Sequence, residues 1–265
     1  MSAIFTLTTD FGFSDAYVAI LKGSILGAKP SSTIIDVSHF IPPRDIMAGG
    51  WILKQAYAAF PDKTIHLAAV GSRNEITTEY LAIAYDNHFF VCPNNGLFSL
   101  LVDKNRSFDA VFIELRKESI SSNFSAKNIL VPAAIALAEG ESIKNLGKPA
   151  TKMVTYKWAE PFEDKNGIQG MINHVDHYGN LITNIPVLHF NQIMERNQIV
   201  GRTAFKIYIG NTIIRQESDD FFQLEDQDPF AVKGPSGMME ISVKGGNASE
   251  LLSVVKGAPV SVVLG

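Results

Sequence analysis

From residue 3 to about 146, short apolar runs of strand length alternate with stretches whose apolar residues recur at helical spacing. Ile4–Thr8, Thr33–Val37, Thr64–Val70, Tyr80–Tyr85, Phe89–Cys92 and Ala110–Glu114 read as strands. Between them, Tyr17, Ile20, Leu21, Ser24 and Ile25 mark a helix that runs to about Ala28 behind Ser14 as N-cap. Further helices are expected over Asp45–Phe60 and near Asn128–Glu139. The alternation predicts an α/β domain over residues 1–150, with a mainly parallel sheet between helices. Residues 147–167 lose this periodicity and carry Pro149, Pro161 and the polar run Glu163 to Gly167, which reads as a linker. Beyond it, Gln169–Val175, Leu181–Ile185, Phe205–Ile209, Met239–Val243 and Pro259–Leu264 are separated by Gly and Asn turns. A smaller all-β barrel or sandwich domain is expected over 165–265.

Composition narrows the function. A content of 46% hydrophobic and 19% charged residues supports a sizeable core and argues against disorder. The formal net charge of −4, without a long basic run, gives no footing for a nucleic-acid or membrane-surface partner. The longest apolar stretch, Ile129 to Ala138, is about half the length a bilayer requires, and the first residues lack the pattern of a signal peptide, so a cytoplasmic protein is expected. Cys92 is the single cysteine, which excludes an intrachain disulfide and a thiolate cluster and leaves it a packing role.

Familiar catalytic motifs are missing from the chain. It has no phosphate-cradling Gly-rich loop with Lys, no dinucleotide fingerprint after the first strand, and no nucleophile elbow. His174 and His177 have no acidic partner at ligand spacing, so no metal is expected. The candidates that remain sit at element ends. Asp10 closes the first strand, where ligands bind in α/β folds; it either accepts the two hydroxyls of a ribose or caps loop amides. Asp45 suits a helix N-terminus behind Pro42 and Pro43, while Arg44 is free to cover a ligand or to lie in solvent. The turn Cys92 to Gly96 ends another strand on the same expected edge. Asp176-His177-Tyr178-Gly179-Asn180 reads as a hairpin turn that also presents a carboxylate, a phenol and an amide.

In order along the chain stand Thr8-Thr9-Asp10-Phe11-Gly12 with Asp15, Tyr17 and Lys22-Gly23, then Ile41 to Ile46, Pro93 to Leu97, Val175 to Ile185, Pro235-Ser236-Gly237, and Glu240-Ile241. This ordered set resembles the S-adenosylmethionine hydroxide adenosyltransferases, the family that also holds the fluorinase and chlorinase. The resemblance implies S-adenosylmethionine as the small-molecule ligand, no separate cofactor, and a homotrimer with sites between subunits. It implies that Asp10 holds the ribose, that Asp15, Asp176 and Ser236 hold the methionine end, and that Asn180 with Lys244, Gly245 and Gly246 meets the adenine. Tyr178 supplies an aromatic face, and Tyr17, Arg44, Asn95 and Glu240 complete the implied binding set.

The chain departs from that family's hydrolases where they carry an Asp-Arg-His triad thought to position water. Matching places Gly71 at the Asp, Thr78 at the Arg and Ser125 at the His, and Ala126 stands where the halogenating relatives offer a Ser hydroxyl. Three readings follow. The first is an S-adenosylmethionine hydrolase with a rearranged water site built from Ser72, Arg73 or Glu75 together with Ser125. The second is a binding protein for adenosine or S-adenosylmethionine without turnover. The third is adenosyl transfer to another nucleophile. On the strand-end position alone, Asp10→Ala is expected to abolish binding with little change in melting temperature.

Overall fold

The structure, a computed structural model, describes residues 2–72, 79–103, 105–114, 124–197, 205–218 and 227–264. The chain divides into two compact units, Met1–Lys157 and Trp158–Gly265.

The first unit is built on a seven-stranded sheet. Its strands are β1 (Ile4–Thr9), β2 (Thr33–Ser38), β3 (Ile65–Ala69), β4 (Tyr80–Tyr85), β5 (His88–Pro93), β6 (Asp109–Ile113) and β7 (Gly147–Pro149), in the order β2-β1-β3-β5-β4-β6-β7. The sheet is mixed, which corrects the mainly parallel expectation. β2, β1, β3 and β5 run parallel, whereas β4, β6 and β7 pair antiparallel. The cause is local: Asp86 and Asn87 both have positive φ, 52° and 63°, and close a two-residue hairpin between β4 and β5. So short a connection permits only antiparallel neighbours.

Among the described residues, three α-helices pack on this sheet: α1 (Tyr17–Ala28), α2 (Ile46–Ala56) and α3 (Val131–Ala138). Ser14 does not cap α1. The residue before that helix is Ala16, without a side-chain cap, and the preceding loop is held to the end of β2 by Gly12 N–H donating to the His39 carbonyl at 2.8 Å. Asp45 does cap α2, accepting the Ala48 amide at 2.9 Å. A π-helical turn over Ala126–Leu130 runs without a break into α3, so Pro132 stands inside a continuous helical run, directly after the wider turn that departs from the regular hydrogen-bond ladder its missing N–H would interrupt. Leu21 and Ile25 of α1 pack with Leu130, Ala134 and Leu137 against Phe5, Leu7, Leu67 and Val91 of the sheet. Each large side chain so buried contributes about 1.5–3 kcal/mol.

The other face of the sheet carries a buried polar chain. His66 Nδ1 lies 2.7 Å from Thr6 Oγ1, and its Nε2 lies 3.2 Å from His88 Nδ1, inside a wall that includes Tyr57, Phe60 and Phe90. Burial, reinforced by His88, pushes the His66 pKa down to about 3. Burial also lowers His88, against the pull of Asp86 and Asp62. Cys92 of β5 is 1% exposed, and burial pushes its thiol up to about 12.

The second unit is an antiparallel sheet that nearly closes on itself. It comprises β8 (Phe162–Asp164), β9 (Gly167–Val175), β10 (Leu181–Pro186), β11 (Phe205–Ile209), β12 (Thr212–Ile214), β13 (Pro229–Lys233), β14 (Met238–Val243) and β15 (Pro259–Leu264). The order is β12-β11-β15-β9-β10-β14-β13, with β8 on β9. Beyond β12 the chain bridges to β13, where Ser218 N–H donates to the Ala231 carbonyl and Ala231 N–H to the Gln216 carbonyl, each at 2.9 Å. Inward-facing Ile168, Leu181, Phe205, Ile207, Ile241 and Val262 form the core.

The all-β expectation is corrected by helices α4 (Val187–Arg196) and α5 (Ala248–Leu252), the two among the described residues of this unit. α4 buries only Phe190 and Ile193, a stripe too narrow to register against the polar residues around it. No helix among the described residues is long and apolar enough to cross a membrane.

Candidate ligand-binding site

Parallel strands β2, β1, β3 and β5 bring their carboxyl ends to one edge of the first unit, which is where loops gather polar groups in such sheets. Asp10 leaves β1 there. Its Oδ2 accepts the Arg44 amide at 2.8 Å and the Gly71 amide at 3.0 Å, so the loops after β2 and β3 both close onto one carboxylate oxygen. The second oxygen, Oδ1, makes no hydrogen bond among the described residues. The reading of Asp10 as a cap for loop amides therefore holds for Oδ2, while Oδ1 is left open at the strand edge. Arg44 reaches its position with φ 67°, a left-handed conformation that non-glycine residues adopt at a cost.

Asn95, at the end of β5, donates Nδ2 to the Val70 carbonyl at 2.8 Å and accepts the Leu97 amide at 3.3 Å, tying the β3 and β5 loops together. Ser72 follows Gly71, and its Oγ lies 2.9 Å from Ser125 Oγ, the residue that opens the π-helical turn. Ser125 is buried and Ser72 half-buried. Tyr17 sits in an aromatic cluster with Phe11 and Phe124, at centroid distances of 5.8 and 5.4 Å. Asp15 and the Arg44 side chain are exposed. Arg73, Glu75 and Thr78 lie outside the described residues.

Sequence reasoning passed over a support beneath this edge. His39, buried at the end of β2, contacts Thr9 Oγ1 at 2.7 Å through Nδ1 and Asp36 Oδ1 at 3.1 Å through Nε2, and Lys22 pairs with Asp36 at 2.6 Å. Burial raises the Asp36 pKa, but the bonds from Lys22 and His39 prevail and hold it below the usual carboxylate range. The available signal was position: His39 directly follows the second strand, one residue before the run into Ile41-Pro42-Pro43.

In the second unit the hairpin between β9 and β10 is pinned by Asp176. Its Oδ1 accepts the amides of Tyr178 and Asn180 at 2.9 and 2.8 Å, and its Oδ2 accepts Asn180 Nδ2 at 2.8 Å. Tyr178 projects at 76% exposure. Gly179, at φ 84°, packs so tightly that a Cβ there would stand 1.9 Å from Asn247 Oδ1. Ser236 Oγ donates to Glu240 Oε1 at 3.0 Å and accepts the Met238 amide at 3.3 Å. Burial raises the Glu240 pKa; the Ser236 bond opposes this and the negative charge of Asp176 adds to it. Lys244 and Gly246 lie in the turn after β14, where Gly246 N–H donates to the Val243 carbonyl at 3.2 Å.

An α/β unit with polar loops at the carboxyl edge of its parallel strands, carried in one chain with a nearly closed β-barrel, defines the class. Residues 5–147 match the SAM hydroxide adenosyltransferase N-terminal domain and residues 170–261 match its C-terminal domain. The chain belongs to the SAM hydroxide adenosyltransferase family. It is 30% identical to an (R)-S-adenosyl-L-methionine hydrolase of Methanocaldococcus jannaschii over 95% of this chain and 92% of that protein. It is 27% identical to the hydrolase of the same name from Thermus thermophilus, over 96% and 97%. A fluorinase from an Actinoplanes species is 24% identical over 69% of this chain and 71% of its own. The fold is shared with an uncharacterized conserved protein from Thermotoga maritima, at TM-score 0.87 and 24% identity over 98% of this chain and 99% of that one.

Proposed function

We propose that this protein is an S-adenosylmethionine hydrolase that releases adenosine and methionine. Hydrolases of that name match it over nearly their whole length, and the observation that carries the reading is the divided Asp10 carboxylate, with one oxygen held by two loop amides and the other open at the strand edge. The open oxygen receives a ribose hydroxyl. The first unit's Asp10, Asp15, Tyr17, Arg44 and Asn95 are assigned to the nucleoside side. The second unit's Asp176, Tyr178, Asn180, Ser236, Glu240, Lys244 and Gly246 are assigned to the methionine and adenine ends, and the active assembly is a homotrimer.

In the reaction, a water oxygen forms a bond to C5′ as the C5′–S bond breaks and its electron pair leaves with sulfur. The sulfonium becomes the neutral thioether of methionine, and the water proton passes to solvent. So good a leaving group needs neither a general acid nor a cofactor. Rate comes from alignment, which can supply on the order of 7–11 kcal/mol of barrier reduction. Ser72 and Ser125 are assigned to that task, together with Arg73, the next residue in sequence after Ser72. Their mutual bond uses one of the pair's two O–H donors and leaves one donor and several lone pairs. That set suits water, which donates twice, better than a halide, which accepts only.

Incubation with S-adenosylmethionine in ¹⁸O-labelled water tests the proposal. Methionine and adenosine labelled at the 5′-oxygen are expected. Tight binding without product would instead establish the binding-protein reading, and a different 5′-substituted adenosine would establish transfer to another nucleophile.

A further inference from the structure

We infer that His39 is a positioning residue: by receiving the Thr9 hydroxyl proton it locks the turn that carries Asp10, and so sets the preference for a nucleoside with ribose hydroxyls. This rests on the preceding assignment of the open Asp10 oxygen to the ribose.

His39 holds the turn on both sides of Asp10. On one side its Nδ1 lies 2.7 Å from Thr9 Oγ1, and that same oxygen accepts the Phe11 amide at 3.3 Å. On the other side its backbone carbonyl accepts the Gly12 amide at 2.8 Å, where the chain takes φ 65°. The imidazole is itself fully buried, with the Phe13 ring edge-on against it at a centroid distance of 4.8 Å. Asp10 Oδ2 reaches back to the Arg44 amide, which follows His39 in the same loop. The segments after β1 and β2 therefore brace each other, and Asp10 Oδ1 is held in one direction at the strand edge.

The protons along this chain can be placed. Asp36 Oδ1 stands 3.1 Å from His39 Nε2, too oblique for a hydrogen bond yet so near that a bare nitrogen lone pair would face a carboxylate. Two such groups repel, so Nε2 carries the ring proton. Lys22 pairs with the second Asp36 oxygen at 2.6 Å and keeps the carboxylate in place. Nδ1 is then the bare acceptor, and the Thr9 hydroxyl donates to it. That proton has no other acceptor among the described residues, because Thr9 is fully buried. With its proton committed to His39, Thr9 Oγ1 presents a lone pair to the Phe11 amide and fixes the turn.

The test uses the full chain and two non-reacting ligands, adenosine and 2′,3′-dideoxyadenosine, titrated calorimetrically. The wild type is expected to prefer adenosine. His39→Leu should weaken adenosine about tenfold or more, as for a misdirected charge-assisted hydrogen bond, and leave the dideoxy ligand within about twofold. Thr9→Val should reproduce that selective loss, Thr9→Ser should restore the preference by returning the hydroxyl, and the His39→Leu, Thr9→Val double variant should be no worse than the poorer single one. The Thr9 pair keeps the test decisive should His39→Leu unfold. A purely structural role would weaken both ligands alike. Equal weakening, or an unchanged preference in the variants, overturns the inference alone. A wild type that binds neither ligand, or that does not prefer adenosine, overturns the ribose assignment of Asp10 and the inference with it.

Discussion

The two oxygens of Asp10 differ in their surroundings: Oδ2 holds the Arg44 and Gly71 amides, and Oδ1, open at the strand edge, is the atom we propose for the ribose. The expectation that Asp10→Ala spares the melting temperature took no account of the Arg44 and Gly71 amides, which lose their acceptor in that variant. Leaving such groups unpaired costs roughly 1–3 kcal/mol, so a lower melting temperature is now expected alongside lost nucleoside binding. Asp10→Asn distinguishes the tasks, because an amide oxygen still accepts from both loops while the charge is gone. It should melt near the wild type and bind the nucleoside about tenfold more weakly by titration. At the serine pair, Ser72→Ala and Ser125→Ala should each lower kcat with little change in KM. The double variant should be no worse than the poorer single one, since each hydroxyl acts through the other. The place of Asp10 at the end of β1 was legible from the apolar run before it, but its hold on the amides of residues 44 and 71 was not, since 34 and 61 residues separate them in sequence. The Ser72–Ser125 contact was not, since 53 residues separate the two and only the fold joins them.

Element by element, the strands were easier to read than their partners. Apolar runs fixed the places of β1 to β6, but direction depended on the Asp86-Asn87 turn, whose dipeptide lacks the glycine that usually announces a tight hairpin. α4 escaped notice because its two buried residues do not outweigh the polar ones around them. The β9–β10 hairpin was legible from Gly179 and Asn180, and it gives the sharpest element-scale prediction. Gly179→Ala puts a Cβ into Asn247, which caps α5 by accepting the Glu250 amide at 3.0 Å, and forces φ 84° on a residue that resists it. Denaturant unfolding should show a loss of about 2 kcal/mol or more, from strain and a displaced cap together.

For the whole molecule, the Thr6–His66–His88 chain ties stability to pH. In the folded protein burial holds His66 near pKa 3 and also lowers His88, whereas in the unfolded chain both return to about 6.5. Below that value the unfolded state binds more protons. The stability contributed by the neutral imidazoles is complete above pH 6.5 and declines as pH falls toward the folded values. For His66 alone the loss between pH 7 and pH 5 is about 2 kcal/mol. Thermal melts should show a drop over this interval that His66→Gln reduces; an equal drop in the variant would assign the pH dependence elsewhere.

The seclusion of Cys92 has a practical corollary. With its thiol enclosed in β5 and held unionised, the native protein offers no competitor to a maleimide dye among its own side chains. A cysteine introduced at Asp86, in the hairpin at the opposite end of the parallel strands from Asp10, becomes a unique chemical handle, at which the protein can be tethered or labelled remote from the strand ends proposed to meet the nucleoside.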